Sequence, residues 1–159
     1  MKKTVLILSA IVASGILFVN VYTSVVDAQN WGRDIPASLI AAREYFRAAN
    51  PGTFFRVASP INQLLTLLGL IICWRAGKRV RIYCGIALLC AVAVDALTFA
   101  YFYPRNAIMF TDPLNVDTET LKAVWSQWTT MNWFRSAIIA VQAVLDFLAL
   151  ILVSKTTYQ

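Results

Sequence analysis

The stretch Ile82–Phe102, IYCGIALLCAVAVDALTFAYF, decides the fold. It has about the length, ~20 residues, that a helix needs to cross roughly 30 Å of hydrocarbon. It carries a single charge, Asp95. A second apolar stretch, Trp133–Val153, WFRSAIIAVQAVLDFLALILV, holds Arg135 near its start and Asp146 deeper in. A carboxylate at the bilayer centre costs roughly 2.5–3.5 kcal/mol on insertion scales, so intramembrane aspartates face a bundle interior, where a partner, a proton or a ligand offsets that cost.

Working outward, two further apolar stretches complete the set. Spans are predicted at about 5–25, 60–76, 82–102 and 133–153, giving one domain over residues 1–159. The beginning, MKKTVLILSAIVASG, also resembles a signal peptide, with Val26-Asp27-Ala28 as a cleavage site. The length of the apolar run and Asn20, Tyr22 and Ser24 at its end favour a retained helix. The fold expected is all-α: an integral membrane antiparallel four-helix bundle. Two amphipathic segments form a short helical extracytoplasmic cap, one at residues 36–50, closed by Asn50-Pro51-Gly52, and one from Asp117 to Met131.

Composition agrees. The chain of 159 residues is 59% hydrophobic and 14% charged, with mean hydropathy +0.65. The net charge of +6 follows topology, not nucleic acid. Lys2, Lys3, Arg75, Lys78, Arg79, Arg81 and Lys155 lie at the ends of spans or in the short middle link, whereas six of the eight acidic residues lie in or beside the two longer loops. By the positive-inside rule both termini are expected in the cytoplasm, with the protein in the cytoplasmic or inner membrane. There is no histidine, which removes haem ligation by His, copper–histidine and di-iron Glu-x-x-His sites, and every Ser-His or Cys-His pair. Cys73, Cys84 and Cys90 read as small core residues.

At 100° per residue the polar groups gather on one side of each span. The first carries Ser9, Asn20, Ser24 and Asp27, with Ala13 in line. Ser59, Asn62, Gln63 and Thr66 share a face of the second, Asp95, Thr98 and Tyr101 of the third, and Asn132, Arg135, Gln142 and Asp146 of the fourth. Small and polar stripes are how helices associate in lipid. The larger groups, Asn20, Asn62, Gln63, Asp95, Asn132, Arg135 and Gln142, fall in the outer half with Arg56 and Arg105 at the rim, and they suit either a packed bundle or a polar cavity open to the outside. Trp125, Trp128, Trp133, Tyr101 and Tyr103 collect nearby, as a headgroup-level aromatic belt or as the walls of such a cavity. Asp146 lies deeper, to pair with Lys78 or another basic residue or to stay protonated.

The run Tyr103-Pro104-Arg105-Asn106, the acidic Asp117-Thr118-Glu119, then Trp125-x-x-Trp128 and Asn132-Trp133-Phe134-Arg135 leading into the last helix, resembles the anthrone oxygenase-like family of small four-helix membrane proteins. The resemblance implies a cofactor-independent oxygenase, with no cofactor and no metal, that converts an anthrone-type aromatic to a quinone with molecular oxygen. It also implies roles: Asp95 as base, Arg135 with Asn106 or Asn132 as oxyanion donors, and Trp125, Trp128 and Trp133 as the slot for the rings. Asn20, Asn62, Gln63, Tyr101, Arg105 and Gln142 complete the expected substrate-binding set. The long first loop, Asn30–Ala58, departs from the family pattern and implies a different ligand or a partner.

Two functions are carried forward. One is a pocket for a hydrophobic, aromatic or quinone-like small molecule, acting as an oxidoreductase. The other is a non-catalytic accessory or scaffold subunit that binds membrane lipid or a partner protein, or forms a homo-oligomer. A transporter is the weakest reading, since four spans enclose a path only as an oligomer and no broken helix or inverted repeat is visible.

Overall fold

The computed structural model describes residues 1–111 and 115–155. Five helices account for nearly all of them: α1 (Lys2–Trp31), α2 (Ala37–Tyr45), α3 (Pro51–Ile72), α4 (Lys78–Thr111) and α5 (Thr118–Lys155). Four of them, α1, α3, α4 and α5, are long and apolar enough to cross a membrane. Their directions alternate and they close a ring, in which α1 and α4 each pack between α3 and α5. The protein is an all-helical membrane protein with a four-helix bundle, as the hydropathy pattern predicts.

The ends of the bundle differ. At the link end, α3 passes into α4 through a tight turn in which Gly77 takes φ 122°, a conformation open to glycine and strained for other residues. Leu6, Cys73, Val80, Cys84, Ala149 and Val153 pack together there. At the opposite, cap end, the short α2 lies against the last turns of α1 and α4. Trp31, Leu39, Phe102, Met109, Leu121 and Trp128 form that end's core. Ile16, Val94 and Ile139 bridge the two in the middle.

Several boundaries differ from the sequence expectation. Asn50-Pro51-Gly52, read as a stop, is instead a start. Asn50 Oδ1 accepts from the Thr53 N–H at 3.2 Å, the Asn50 N–H donates to Thr53 Oγ1 at 3.3 Å, and Pro51 occupies the first helical position, where its missing N–H costs nothing. The segment from Asp117 to Met131 is no separate cap helix: it runs into the fourth span without a break. The 38 residues of α5 reach about 57 Å at 1.5 Å per residue, so its first turns project beyond a hydrocarbon layer of ~30 Å. Likewise α4 continues through Pro104 instead of ending at Phe102.

Continuation past Pro104 involves a change of helical geometry. Residues Thr98–Phe102 and Ala107–Thr111 of α4, and Thr23–Asp27 of α1, form π-type turns. Such turns take about one residue more per turn than an α-helix and so rotate the face that follows. On α4 this turns Tyr101 off the inner stripe expected from Asp95 and Thr98, and buries Phe102 in its place.

Candidate functional site

The polar stripes of the first and last spans meet as a ladder. Asn20 Nδ2 donates to the Asn132 carbonyl (3.2 Å) and Ser136 Oγ (2.7 Å). Asn132 Nδ2 returns the bond, to the Asn20 carbonyl (3.2 Å) and Ser24 Oγ (2.6 Å). The two amide oxygens, Asn20 Oδ1 and Asn132 Oδ1, both accept from Arg135 Nη2. Arg135 Nη1 reaches Thr98 Oγ1 across the bundle at 3.3 Å. The guanidinium is 94% buried on the residue's accessible surface (6% exposed) and lies over the Phe102 ring, 4.0 Å from its centroid. Its Nε is buried with no hydrogen-bond partner, and among the described residues it makes no ion pair. Only neutral oxygens bond it directly, Asp95 acting on it as a charge from beyond ion-pair distance, and a buried cation so held is costly.

Arg135 lines a cavity of about 1040 Å³ at the cap end. Ile16, Val94 and Ile139 contribute apolar surface to it, and Asn20, Thr98, Asp95 and Arg135 contribute polar atoms. Aromatic rings dominate its walls: Trp31, Phe46, Phe55, Phe99, Phe102, Phe110 and Trp128. Several pack edge to face, Trp31 against Trp128 (5.3 Å between centroids) and Phe110 (4.9 Å), and Phe102 against Trp128 (5.5 Å). Asp95 Oδ2 accepts from Gln63 Nε2 at 2.6 Å, which fixes the carboxylate at the cavity wall. Asn106 Oδ1 accepts from the Trp128 indole at 2.8 Å, leaving its NH₂ group to donate. Arg43 and Arg47 from the α2 segment and Arg56 from α3 complete the lining with the start of α3.

The structure therefore sorts the expected site residues. Asp95, Arg135, Asn20, Asn106 and Trp128 line the cavity. Gln63 and Asn132 stand behind it, holding Asp95 and Arg135; every amide group of Asn132 is engaged, so of the two expected amide donors only Asn106 lines the cavity. Asn62 and Gln142 lie below, bonded to each other in both directions at 3.1 and 2.8 Å. Trp125 is spent on structure: its indole donates to the Ala28 carbonyl at 2.8 Å and packs on Gly32, where a Cβ would fall 2.2 Å from the ring. Tyr101 and Arg105 form an outward cluster, the guanidinium 3.4 Å from the Tyr101 ring centroid and bonded to Gln127 Oε1. Trp133 is 47% exposed on the outer face of α5.

Asp146 pairs with neither Lys78 nor any other basic residue among those described; Ser9 Oγ donates to its Oδ2 at 2.9 Å. Sequence reasoning missed Trp31, Arg43, Phe46, Arg47, Phe55, Phe99, Phe102 and Phe110. For Trp31 the signal was present, since Asn20, Ser24, Ala28 and Trp31 follow at helical spacing, but the first span was ended too early, at Val25.

No curated protein and no solved structure matches the chain. The family described as anthrone oxygenase matches residues 52–145, more than half of the sequence, taking in Arg56, Asp95, Asn106, Trp128 and Arg135 and leaving out α1 and α2. With four apolar helices and these residues around one cavity, the chain belongs to the anthrone oxygenase family.

Proposed function

We propose that the cap-end cavity binds a hydrophobic aromatic or quinone-like molecule and oxidises it with molecular oxygen, without a bound cofactor. The observation that carries this reading is Arg135, a buried guanidinium facing an aromatic-walled cavity, with no ion-pair partner among the described residues and with Asp95 as a charge acting on it from the same cavity wall. A ligand oxyanion would supply the direct anionic contact that Arg135 lacks, and in a low-dielectric site such a donor acts far more strongly than in water. Family membership supports an anthrone-type substrate.

For an anthrone the residues divide the work. The Asp95 carboxylate takes a proton from the methylene between the rings, and Arg135 and the Asn106 NH₂ hold the resulting oxyanion. Dioxygen adds at that carbon, the proton returns to the terminal peroxide oxygen, and loss of water across the C–O–O–H group leaves the second carbonyl. One anthrone and one dioxygen give one quinone and one water. A positioned general base contributes about 10²–10⁴-fold. We place the link end, where Lys2, Lys3 and Arg75–Arg81 gather, in the cytoplasm, so that the cavity opens on the opposite side.

The test is oxygen uptake by the full-length protein in neutral-lipid nanodiscs supplied with anthrone. The expected result is one dioxygen consumed per anthraquinone formed, with Asp95→Asn retaining binding and losing turnover. Binding without uptake would leave a non-catalytic ligand-binding module; no binding, with only lipid or a protein retained in native mass spectrometry, would overturn the reading.

A further inference from the structure

We propose that Arg43, Arg47 and Arg56 form an anion subsite at the cavity rim, selecting ligands whose apolar body carries an ionised acid group. This inference rests on the cavity's role as an aromatic-ligand site and adds the chemistry of the ligand's far end.

Four arginines and one aspartate line the cavity, counting the described residues. Arg135 is committed to the deep end by its bonds to Asn20, Asn132 and Thr98. The other three come from two separate elements to one opening: Arg43 in the last turn of α2, Arg47 just beyond it, and Arg56 in the second turn of α3. Among the described residues, no buried acid neutralises them. Arg47 meets Glu44 at 3.5 Å in a pair whose side chains are 83% and 61% exposed, and exposed pairs of that kind contribute little. Arg56 donates to the neutral Thr53 Oγ1 at 3.3 Å. Glu44, the acid that meets the rim, is itself outside the lining. Like charges brought to one rim repel unless an anion joins them.

Size points the same way. A cavity of about 1040 Å³ lies at the upper end of the ~300–1,000 Å³ typical of small-molecule sites, so a ring system seated at Arg135 leaves room for a substituent reaching the rim. The aromatic walls favour a flat aromatic acid. An anionic phospholipid shares the required chemistry, an apolar body and an ionised oxygen-acid head. Of the three, Arg43 and Arg47 lie outside the family match at 52–145 and Arg56 lies inside it.

The test compares anthracene-2-carboxylate with anthracene-2-carboxamide, by ligand fluorescence, on the full-length protein in phosphatidylcholine nanodiscs at pH 7.5. The carboxylate is expected to bind at least about fivefold tighter, since three exposed charges each contribute modestly, and the gap should close as salt rises. Arg43→Gln/Arg47→Gln/Arg56→Gln should erase the preference while carboxamide affinity stays constant, which also shows that the variant is folded. The same charge removal at the other end, Arg75→Gln/Arg79→Gln/Arg81→Gln, should leave the preference intact. Equal affinities in the unmodified protein would overturn the rim subsite and leave the aromatic site standing; failure of both ligands to bind would overturn the two together. Retention of phosphatidylglycerol by the unmodified protein and its loss from the rim variant, with the carboxylate preference abolished in phosphatidylglycerol discs, would replace the aromatic acid by the lipid.

Discussion

The two ends of this bundle use similar polar side chains for opposite purposes. At the link end Ser9 bonds Asp146, a buried carboxylate with no basic partner among the described residues, and just above them Asn62 and Gln142 bond each other across the ring; neither pair lines the cavity. At the cap end the bonds among Asn20, Ser24, Asn132 and Ser136 converge on Arg135, whose charge they cannot balance, beside a cavity. Helices in lipid have little hydrophobic reason to associate, so each end needs polar contacts. The difference between the ends is therefore not the presence of an unmatched charge but its surroundings: Asp146 is packed in, whereas Arg135 opens on a cavity.

The sharpest way to break that contrast is Arg135→Met, which removes the charge and keeps much of the volume. Hydrogen bonds to charged groups contribute about 1.5–3 kcal/mol, so affinity for an aromatic ligand with an oxyanion should fall on the order of 10- to 100-fold in equilibrium binding. Unchanged affinity would mean that the cap-end network is as purely structural as the other. Gly32→Val comes next. Its side chain would collide with the Trp125 indole, and overpacking of this kind costs about 1–3 kcal/mol; the cap should loosen, read as faster hydrogen exchange in α2 and at the start of α5, with no change around Leu6 and Cys84.

Smaller effects come from the link end. The Asn62→Ala and Gln142→Ala double-mutant cycle should show coupling of about 0.6 kcal/mol, the average for such bonds in membranes, in reversible unfolding, and neither single change should alter ligand affinity. A loss of binding there would join the two ends into one site. The smallest expected effect concerns Asp117, just outside the fourth span. The Thr120 side chain and the Thr120 N–H, the latter at 2.9 Å, bond to the Asp117 carboxylate and hold its pKa below the ordinary carboxylate value of 3.8. A lowered folded-state value means that this cap stabilises fully above about pH 4 and is lost as pH falls through the lower folded value. Asp117→Ala should therefore lower the midpoint slightly at pH 7 and flatten its dependence below pH 4.

Much of the fold was legible because lipid imposes length and hydropathy on any span. The inward faces were legible too: Ser9, Asn20, Asn62, Thr66, Gln142 and Asp146 are buried where helical periodicity puts them. The site was read less completely, for identifiable reasons. Periodicity assumes a constant 3.6 residues per turn, and the π-type turn at Thr98–Phe102 breaks that assumption, exchanging Tyr101 for Phe102. Arg105 was assigned to the rim on the same straight-helix geometry, yet it folds back over Tyr101, while Arg43 and Arg47 arrive from the end of α2, whose docking over the cavity no periodicity specifies. The unity of α5 could have been read, since no glycine or proline interrupts Thr118–Lys155.

The three π-type turns all belong to the half of the bundle that holds the cavity, and residues from each of them line it: Thr23, Thr98 and Phe110 among others. In terms of heredity, a π-type turn is one amino acid of surplus length in a helix that would otherwise close on itself. A single codon deleted between Thr98 and Phe102 would remove the first of the two π-type turns of α4, yet Phe102, then third after Thr98, would keep the inward place beside Arg135, and everything toward the link end would keep its register. One residue gained or lost at such a turn is then absorbed on the spot, and a lineage can lengthen or shorten the helices around the cavity without rebuilding the parts that hold the bundle in the membrane.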